Sequence, residues 1–205
     1  ALRKALLRAL RHHHHVRRPR KTLRLKSRPI QDAISIEERP ADVADRTVPG
    51  HWEGDLLMGH GNASALGTLV ERTTRFTLLV PLRRKAASSV RQAFARELRT
   101  LPQQLRQSLT YDQGQEMAQH RLFTAQTQMR VYFAHPHCPW ERGTNENTNG
   151  LLRQFFPKGT RFTTISRRQI KRVQASINDR PRKVLAWHSP AKVFKDVLER
   201  VALAP

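Results

Sequence analysis

The sequence predicts one mixed-sheet α/β domain behind a strongly basic N-terminal arm. Alternating apolar residues mark three strands in succession from about residue 51, and strand and helix patterns then alternate toward the C-terminus. A chain of 205 residues with 38% hydrophobic content is long enough to bury one sizeable core.

Residues 1–28 carry 11 Lys or Arg and no acid, around the run His12-His13-His14-His15. A segment so charged cannot fold alone, so an arm ordered by DNA or by the main domain is expected. The His run reads as part of that solvated arm rather than as a metal tract. Residues 29–50 contain prolines and the acidic pair Glu37-Glu38, and read as a linker. The folded core is expected over residues 51–200.

Within it, Trp52 to Met58 reads as a strand, and residues 65–72 and 75–82 as two more joined at Thr73-Thr74. Val90, Phe94, Leu98 and Leu101 predict an amphipathic helix over 88–101, closed by Pro102. Ser108 to Asp112 and Arg130 to Ala134 supply the fourth and fifth strands, with a helix over 116–128 between them. A further helix is expected over 144–156. Ile170, Val173 and Ile177 mark one over 168–179, stopped by Pro181. Ser189-Pro190 then supplies an N-cap and a first-turn proline for the last helix.

The net charge of +22 speaks to partners. Neutralising phosphates releases condensed counterions, which favours DNA or RNA over other anionic surfaces. No apolar run approaches the roughly 20 residues of a spanning helix, and arginines interrupt the leucines where a signal peptide would lie. The single Cys138 excludes an internal disulfide and fits a reducing cytoplasm. Its Pro-flanked setting shows no base that would make it a nucleophile. The start at Ala1 admits an upstream domain.

Against 38 Lys and Arg stand only 16 acids, and three of these sit at element ends. Asp112 ends a strand before Gly114, where α/β sheets place functional side chains. After 33 intervening residues comes Glu146, in Gly143-Thr144-Asn145-Glu146-Asn147-Thr148-Asn149-Gly150, a run of poor helix formers expected to be helical nonetheless. Upstream, Glu53 and Asp55 share a strand face with Leu57, so one of the two lies near the sheet's centre. Converging carboxylates raise one another's pKa, and Mg²⁺ or Mn²⁺ would remove that conflict. A pair of such ions can activate an attacking hydroxyl and stabilise a leaving oxygen at a phosphodiester. The plainer reading makes Asp112 a turn cap and Glu146 a first-turn acid favoured by the helix dipole.

The eight-residue run around Glu146, with Trp52-Glu53-Gly54-Asp55, Thr68-Leu69-Val70-Glu71-Arg72 and Asn178-Asp179-Arg180-Pro181-Arg182-Lys183, closely resembles the insertion sequence thirty family of bacterial transposases. The resemblance covers about residues 35–195. It implies a ribonuclease H-like integrase core with a mixed five-stranded sheet flanked by helices. It also implies an Asp-Asp-Glu triad of Asp55, Asp112 and Glu146 serving as catalytic residues and metal ligands, with Mg²⁺ or Mn²⁺, two ions, as cofactor. Glu53 then falls beside the metal ligands, Glu71 at a strand end beside an Arg, and Glu116 in the first turn of the next helix.

The activity so implied is cleavage of DNA phosphodiesters at element ends and transfer of the freed 3′-hydroxyl into target DNA. The protein would act as a homo-oligomer assembled on DNA, associated with the bacterial nucleoid. The helix-turn-helix region that such transposases carry N-terminally has no counterpart in residues 1–28. Two alternatives stand beside this reading: a truncated, non-catalytic DNA-binding remnant or inhibitor, and a ribonuclease H-like nuclease.

Arg142, Arg153 and Lys158 bracket Glu146 and are the candidate phosphate contacts, with Arg180 and Arg182 as a second group. Asn145 and Asn149 are read either as DNA contacts or as holding the helix N-terminus. Trp140 and Trp187 are expected to anchor loops or core more than to stack on bases. His135 and His137, two apart and without a Cys partner, make a weak metal pair.

Overall fold

A computed structural model describes residues 29–203 except Arg83, so the expectation for residues 1–28 falls outside the described residues. Six strands form one sheet: β1 (Ile34–Ser35), β2 (His51–Met58), β3 (Ala65–Glu71), β4 (Thr77–Leu82), β5 (Ser108–Tyr111) and β6 (Arg130–Phe133), in the order β1-β6-β5-β2-β3-β4. The helices are α1 (Asp42–Asp45), α2 (Ala87–Leu98), α3 (His120–Thr127), α4 (Gly143–Leu152), α5 (Arg167–Asp179) and α6 (Pro190–Leu203).

Short turns make β2, β3 and β4 an antiparallel meander. The crossovers through α2 and α3 then bring β5 and β6 in parallel to β2. The expected sheet had five strands; the sixth is β1, which pairs with β6 at Ile34↔Tyr132 and Ser35↔Phe133. Two residues are too few to carry a period-two signal. The segment 29–50 also buries Val43 and sends Arg39 to the Thr110 hydroxyl at 3.0 Å.

Period-two alternation sorts the sheet into two apolar faces. On one, Trp52, Leu56, Leu69, Leu78, Val80, Leu109 and Val131 pack with Val90, Phe94 and Leu98 of α2, Phe123 of α3 and Phe194 of α6. On the other, Leu57, Leu66 and Leu79 pack with Leu151 and Leu152 of α4, Phe156, Phe162, and Ile170 and Ile177 of α5. Gly67 belongs to the first face, where a Cβ would collide with the Phe94 ring. A glycine in the middle of a sheet strand thus marks a helix packed against bare backbone.

Two helices differ from expectation. The segment 116–128 is split into a 3₁₀ turn, Gln115–Met117, and α3, because Met117 plugs into the core between them. The segment 144–156 ends as α-helix at Leu152, after which tighter turns carry Phe156 into the second cluster. Among the described residues no helix is long and apolar enough to cross a membrane.

Candidate active site

Strand β2 turns Glu53, Asp55 and Leu57 toward α4. Leu57 enters the apolar cluster, Glu53 is fully buried, and Asp55 is left at the cluster's edge. The parallel pairing of β2 with β5 ends at Glu53↔Thr110. Two residues further along each strand stand Asp55 and Asp112. Neighbouring strands are roughly 4.8 Å apart, so this register brings the two carboxylates together where β2, with Asp55 in mid-strand, runs on past the end of β5. Asp112 Oδ1 also accepts the Gly114 N–H at 3.1 Å, which fixes the turn that points it there.

The Arg142 side chain, only 10% exposed, reaches both acids. Its Nη1 lies 3.7 Å from Asp55 Oδ2 and its Nη2 3.5 Å from Asp112 Oδ2. Nη1 also donates to the Gly54 carbonyl at 3.2 Å. Asp55 accepts further hydrogen bonds from the Leu56 N–H (2.8 Å) and from Nδ2 of Asn149 in α4 (2.9 Å). Burial pushes the Asp55 carboxyl up to about 6; Arg142 pulls it back, and Asp112 adds to the rise. Glu116 is raised as well, by burial first and then by Asp112. Burial also lifts the Tyr111 phenol well above its ordinary value, and Glu116, Asp55 and Asp112 push the same way. A fourth acid therefore feels the field of the Asp55–Asp112 pair.

A buried network holds α4 against the sheet. The Asn145 N–H donates to Glu53 Oε2 at 2.8 Å, and its side-chain amide donates to the Glu53 carbonyl at 3.0 Å and the Thr68 carbonyl at 3.3 Å. The Thr68 hydroxyl completes the ring by donating to Asn145 Oδ1 at 2.9 Å. Arg72 Nη1 stands 3.2 Å from Glu53 Oε1, with both side chains buried. Burial lowers the Arg72 guanidinium to about 10, and Glu53 counters that fall. A negative carboxylate at a helix N-terminus also suits the dipole. Glu146, next along the chain, is exposed in the first turn of α4. Asn149 lies three residues on, on the same helix face, so Glu146 projects from the face that bonds Asp55.

The structure thus brings Asp55 and Asp112 to one guanidinium and sets Glu146 at the rim. Among the described residues, no three His, Cys, Asp or Glu side chains converge closely enough to hold a metal ion. The donor chemistry nevertheless suits a hard divalent cation. Three carboxylates are available, and the buried Oδ1 of Asn149, beside Asp55, has no hydrogen-bond partner among the described residues.

The expected phosphate contacts divide. Lys158 and Arg180 are exposed and available to an anion. Asn145 is fully buried, and every polar atom of its amide is engaged with β2 and β3, an arrangement that matches its reading as holding the start of α4. Arg142 points inward to the two aspartates rather than out to a backbone. Arg153 follows the end of α4 and donates to the Met58 carbonyl at 3.0 Å, because the helix stops a turn earlier than its pattern predicts. Arg182 Nη2 caps α5 through the Ile177 carbonyl at 3.2 Å. Asn149 faces Asp55.

Among the other expectations, no ion pair joins Glu71 to an arginine among the described residues; it accepts from the Thr74 N–H and hydroxyl and from the Gly50 N–H. His135 pairs with Glu141 at 2.8 Å. Trp140 and Trp187 are neither core nor anchors, at 71% and 69% exposed. The Glu53–Arg72 pair has a partial sequence signal: an acid two residues before Asp55 on the same buried face.

An integrase core domain profile matches residues 45–139, a span that contains Asp55 and Asp112. The transposase for insertion sequence element IS1086 of Cupriavidus metallidurans is 50% identical over 197 residues, 96% of this chain and 58% of that protein. The transposase InsI for insertion sequence element IS30A of Escherichia coli is 46% identical over 171 residues, 83% of this chain and 43% of that protein. The chain belongs to the insertion sequence thirty family of transposases. It spans about half the length of these family relatives. The transposase for insertion sequence element IS4351 of Bacteroides fragilis is 34% identical over 175 residues, 85% of this chain and 53% of that protein. The fold of this family member is shared with a chain of the simian T-cell lymphotropic virus intasome solved with PP2A regulatory subunit B56 gamma. That match has a TM-score of 0.52 and 18% identity, covering 64% of this chain and 49% of the other. The mixed sheet with helices on both faces is a ribonuclease H-like α/β fold.

Proposed function

We propose that this chain is the catalytic core of a DNA transposase, which cleaves phosphodiesters at element ends and transfers the freed 3′-hydroxyl into target DNA. The observation that carries the reading is the meeting of Asp55 and Asp112 at the Arg142 guanidinium, with Asp55 bonded to the helix face that bears Glu146. Asp55, Asp112 and Glu146 would hold Mg²⁺ or Mn²⁺, which when bound supplies activation of the attacking hydroxyl and charge neutralisation at the leaving oxygen.

The chain's own residues do the rest. Asn149 orients the Asp55 carboxylate, and Arg142 places positive charge where a phosphate approaches. Lys158 and Arg180 offer exposed cations for the backbone. The net charge of +22 draws DNA irrespective of sequence, and assembly into a homo-oligomer on DNA fits the reading. The purified chain with Mg²⁺ or Mn²⁺ should nick element-end DNA, and Asp112→Asn or Glu146→Gln should abolish nicking. Nicking that survives either change overturns the triad.

A second reading has one observation in its favour, since no three acidic or other ligating side chains converge among the described residues. It makes the chain a DNA-binding remnant. Salt-sensitive DNA binding with no metal-dependent nicking would establish it.

A further inference from the structure

Between α5 and α6 the chain makes a tight loop closed on itself by backbone hydrogen bonds. The Trp187 N–H donates to the Arg182 carbonyl at 2.9 Å and the Arg182 N–H to the His188 carbonyl at 3.0 Å. Inside it, Leu185 and Ala186 bond back to Arg182 and Lys183. Ala186 and Trp187 both adopt left-handed backbone, with φ of 49° and 65°. Two consecutive non-glycine residues in that region are uncommon and mark a conformation held by its surroundings. This closed loop displays Val184 and Trp187, both about two-thirds exposed. Burying an indole is favourable, so a tryptophan displayed on a braced loop is set up for a partner.

The surroundings decide the partner's chemistry. Arg180 and Lys183 flank the loop and are exposed. The helix leading into it exposes Arg167, Arg168, Lys171 and Arg172, with no acid before Asp179. A second copy of this chain would meet that surface with the same charge, whereas a polyanion with flat aromatic faces matches both charge and indole.

Location narrows the partner further. Asn178, at the end of α5, bonds both backbone groups of Thr77 at 2.9 Å. Thr77 pairs with Val70, and Val70 with Glu53, the residue that holds the N-terminus of α4. Asn178, four residues before the loop, is therefore two strand spacings, roughly 10 Å, from the start of the helix carrying Glu146. That distance is about the rise of three nucleotides of one DNA strand.

We infer that the Arg182–His188 loop is a nucleobase-stacking wedge, in which Trp187 stacks on an unpaired base of DNA a few nucleotides from the carboxylates while Arg180 and Lys183 hold the flanking phosphates. The inference rests on the DNA transposase reading and adds to it a preference for opened over fully paired DNA. An aromatic platform binds an exposed base face and gains little from a base still stacked in a duplex.

The test measures binding of the 205-residue chain to three labelled oligonucleotides: a single strand, a duplex with one bulged base, and the fully paired duplex. Trp187→Ala should weaken binding to the first two by about tenfold or more and to the paired duplex by less than about twofold, with Trp187→Phe retaining most of the affinity. The double variant Arg180→Ala, Lys183→Ala should weaken all three and lower the salt slope by about two. Because Trp187 is exposed, an unchanged thermal melt is expected for each Trp187 variant. If the unmodified chain binds DNA and Trp187→Ala binds all three equally well, the wedge is wrong and the transposase reading stands. A change in oligomeric mass by light scattering with DNA affinity unchanged makes the loop a contact between copies and also overturns it. If the unmodified chain binds none of the three, the DNA reading itself falls and the wedge with it.

Discussion

The backbone N–H of Asn145 donates to Oε2 of Glu53 at 2.8 Å, across 92 residues of chain, in a site sealed from solvent. This bond joins the first turn of α4 to β2, two residues before Asp55. The helix that bears one proposed catalytic acid is thus seated on the strand that bears another. A fully buried carboxylate is tolerated because Arg72 supplies the counter-charge and Asn145 the donor.

Breaking this pair is expected to destabilise the fold strongly. Glu53→Ala leaves the Arg72 guanidinium buried without its partner, and losses of this kind run to about 3–5 kcal/mol. Urea unfolding followed by circular dichroism measures it. A loss below about 1 kcal/mol would show that the pair does not anchor the helix.

Asn145→Ala separates two roles for one residue. Removing the amide leaves the Glu53 and Thr68 carbonyls without its donors, a stability loss of about 1–3 kcal/mol. Because Asn145 is buried, DNA affinity should hold while the rate of metal-dependent nicking falls with the displacement of Glu146. Reduced DNA affinity with an unchanged nicking rate at saturating DNA would restore Asn145 as a DNA contact.

Gly67→Ala tests the packing of α2 on the sheet. The new Cβ would collide with the Phe94 ring, which is fully buried. Overpacking of this kind costs about 1–3 kcal/mol, and a lowered Tm by scanning calorimetry is the expected outcome. Phe94→Leu in the same chain should recover part of it, which a backbone-only effect would not allow.

The His135–Glu141 pair predicts a pH dependence with a defined sign. The Glu141 side chain, as hydrogen-bond acceptor, holds His135 above its ordinary value. Burial pushes Glu141 upward, but its bonds to the His135 ring and N–H leave it below the usual range. The histidine contribution is fully present below its unfolded value of about 6.5 and fades as pH rises through the raised folded value. The glutamate contribution is present above its unfolded value and fades as pH falls through the lowered one. The pair therefore stabilises most at mildly acidic pH. NMR titration should give a His135 midpoint above about 6.5 that drops in Glu141→Gln; a midpoint insensitive to that change removes the pair.

Much of the architecture was legible along the chain, since local periodicity sets local structure. The strands β2 to β6 fall within two residues of their patterns, as do α2 at its start and α5 at both ends. The misses are of one kind. The strand β1 is made by β6 rather than by its own two residues. The early end of α4 is set by Phe156 reaching its cluster, and the break at Met117 by a core position to be filled. These depend on partners far away in sequence.

The site divides the same way. Sequence by itself determined which acids to consider, because carboxylates at element ends in a chain of +22 charge are conspicuous and the run around Glu146 is distinctive. It also placed Glu53 and Asp55 on one face through the two-residue repeat of a strand. Only the tertiary structure decided what the polar neighbours do. Arg142, a phosphate contact on paper, and Asn145, open there to DNA or to the helix N-terminus, turn inward because the sheet they cover carries buried carboxylates that need donors. Trp187 turns outward because its loop closes on its own backbone and leaves the indole about two-thirds exposed. A residue's chemistry is written in the chain, but whether water, protein or DNA receives it is set by which distant segments fold against it.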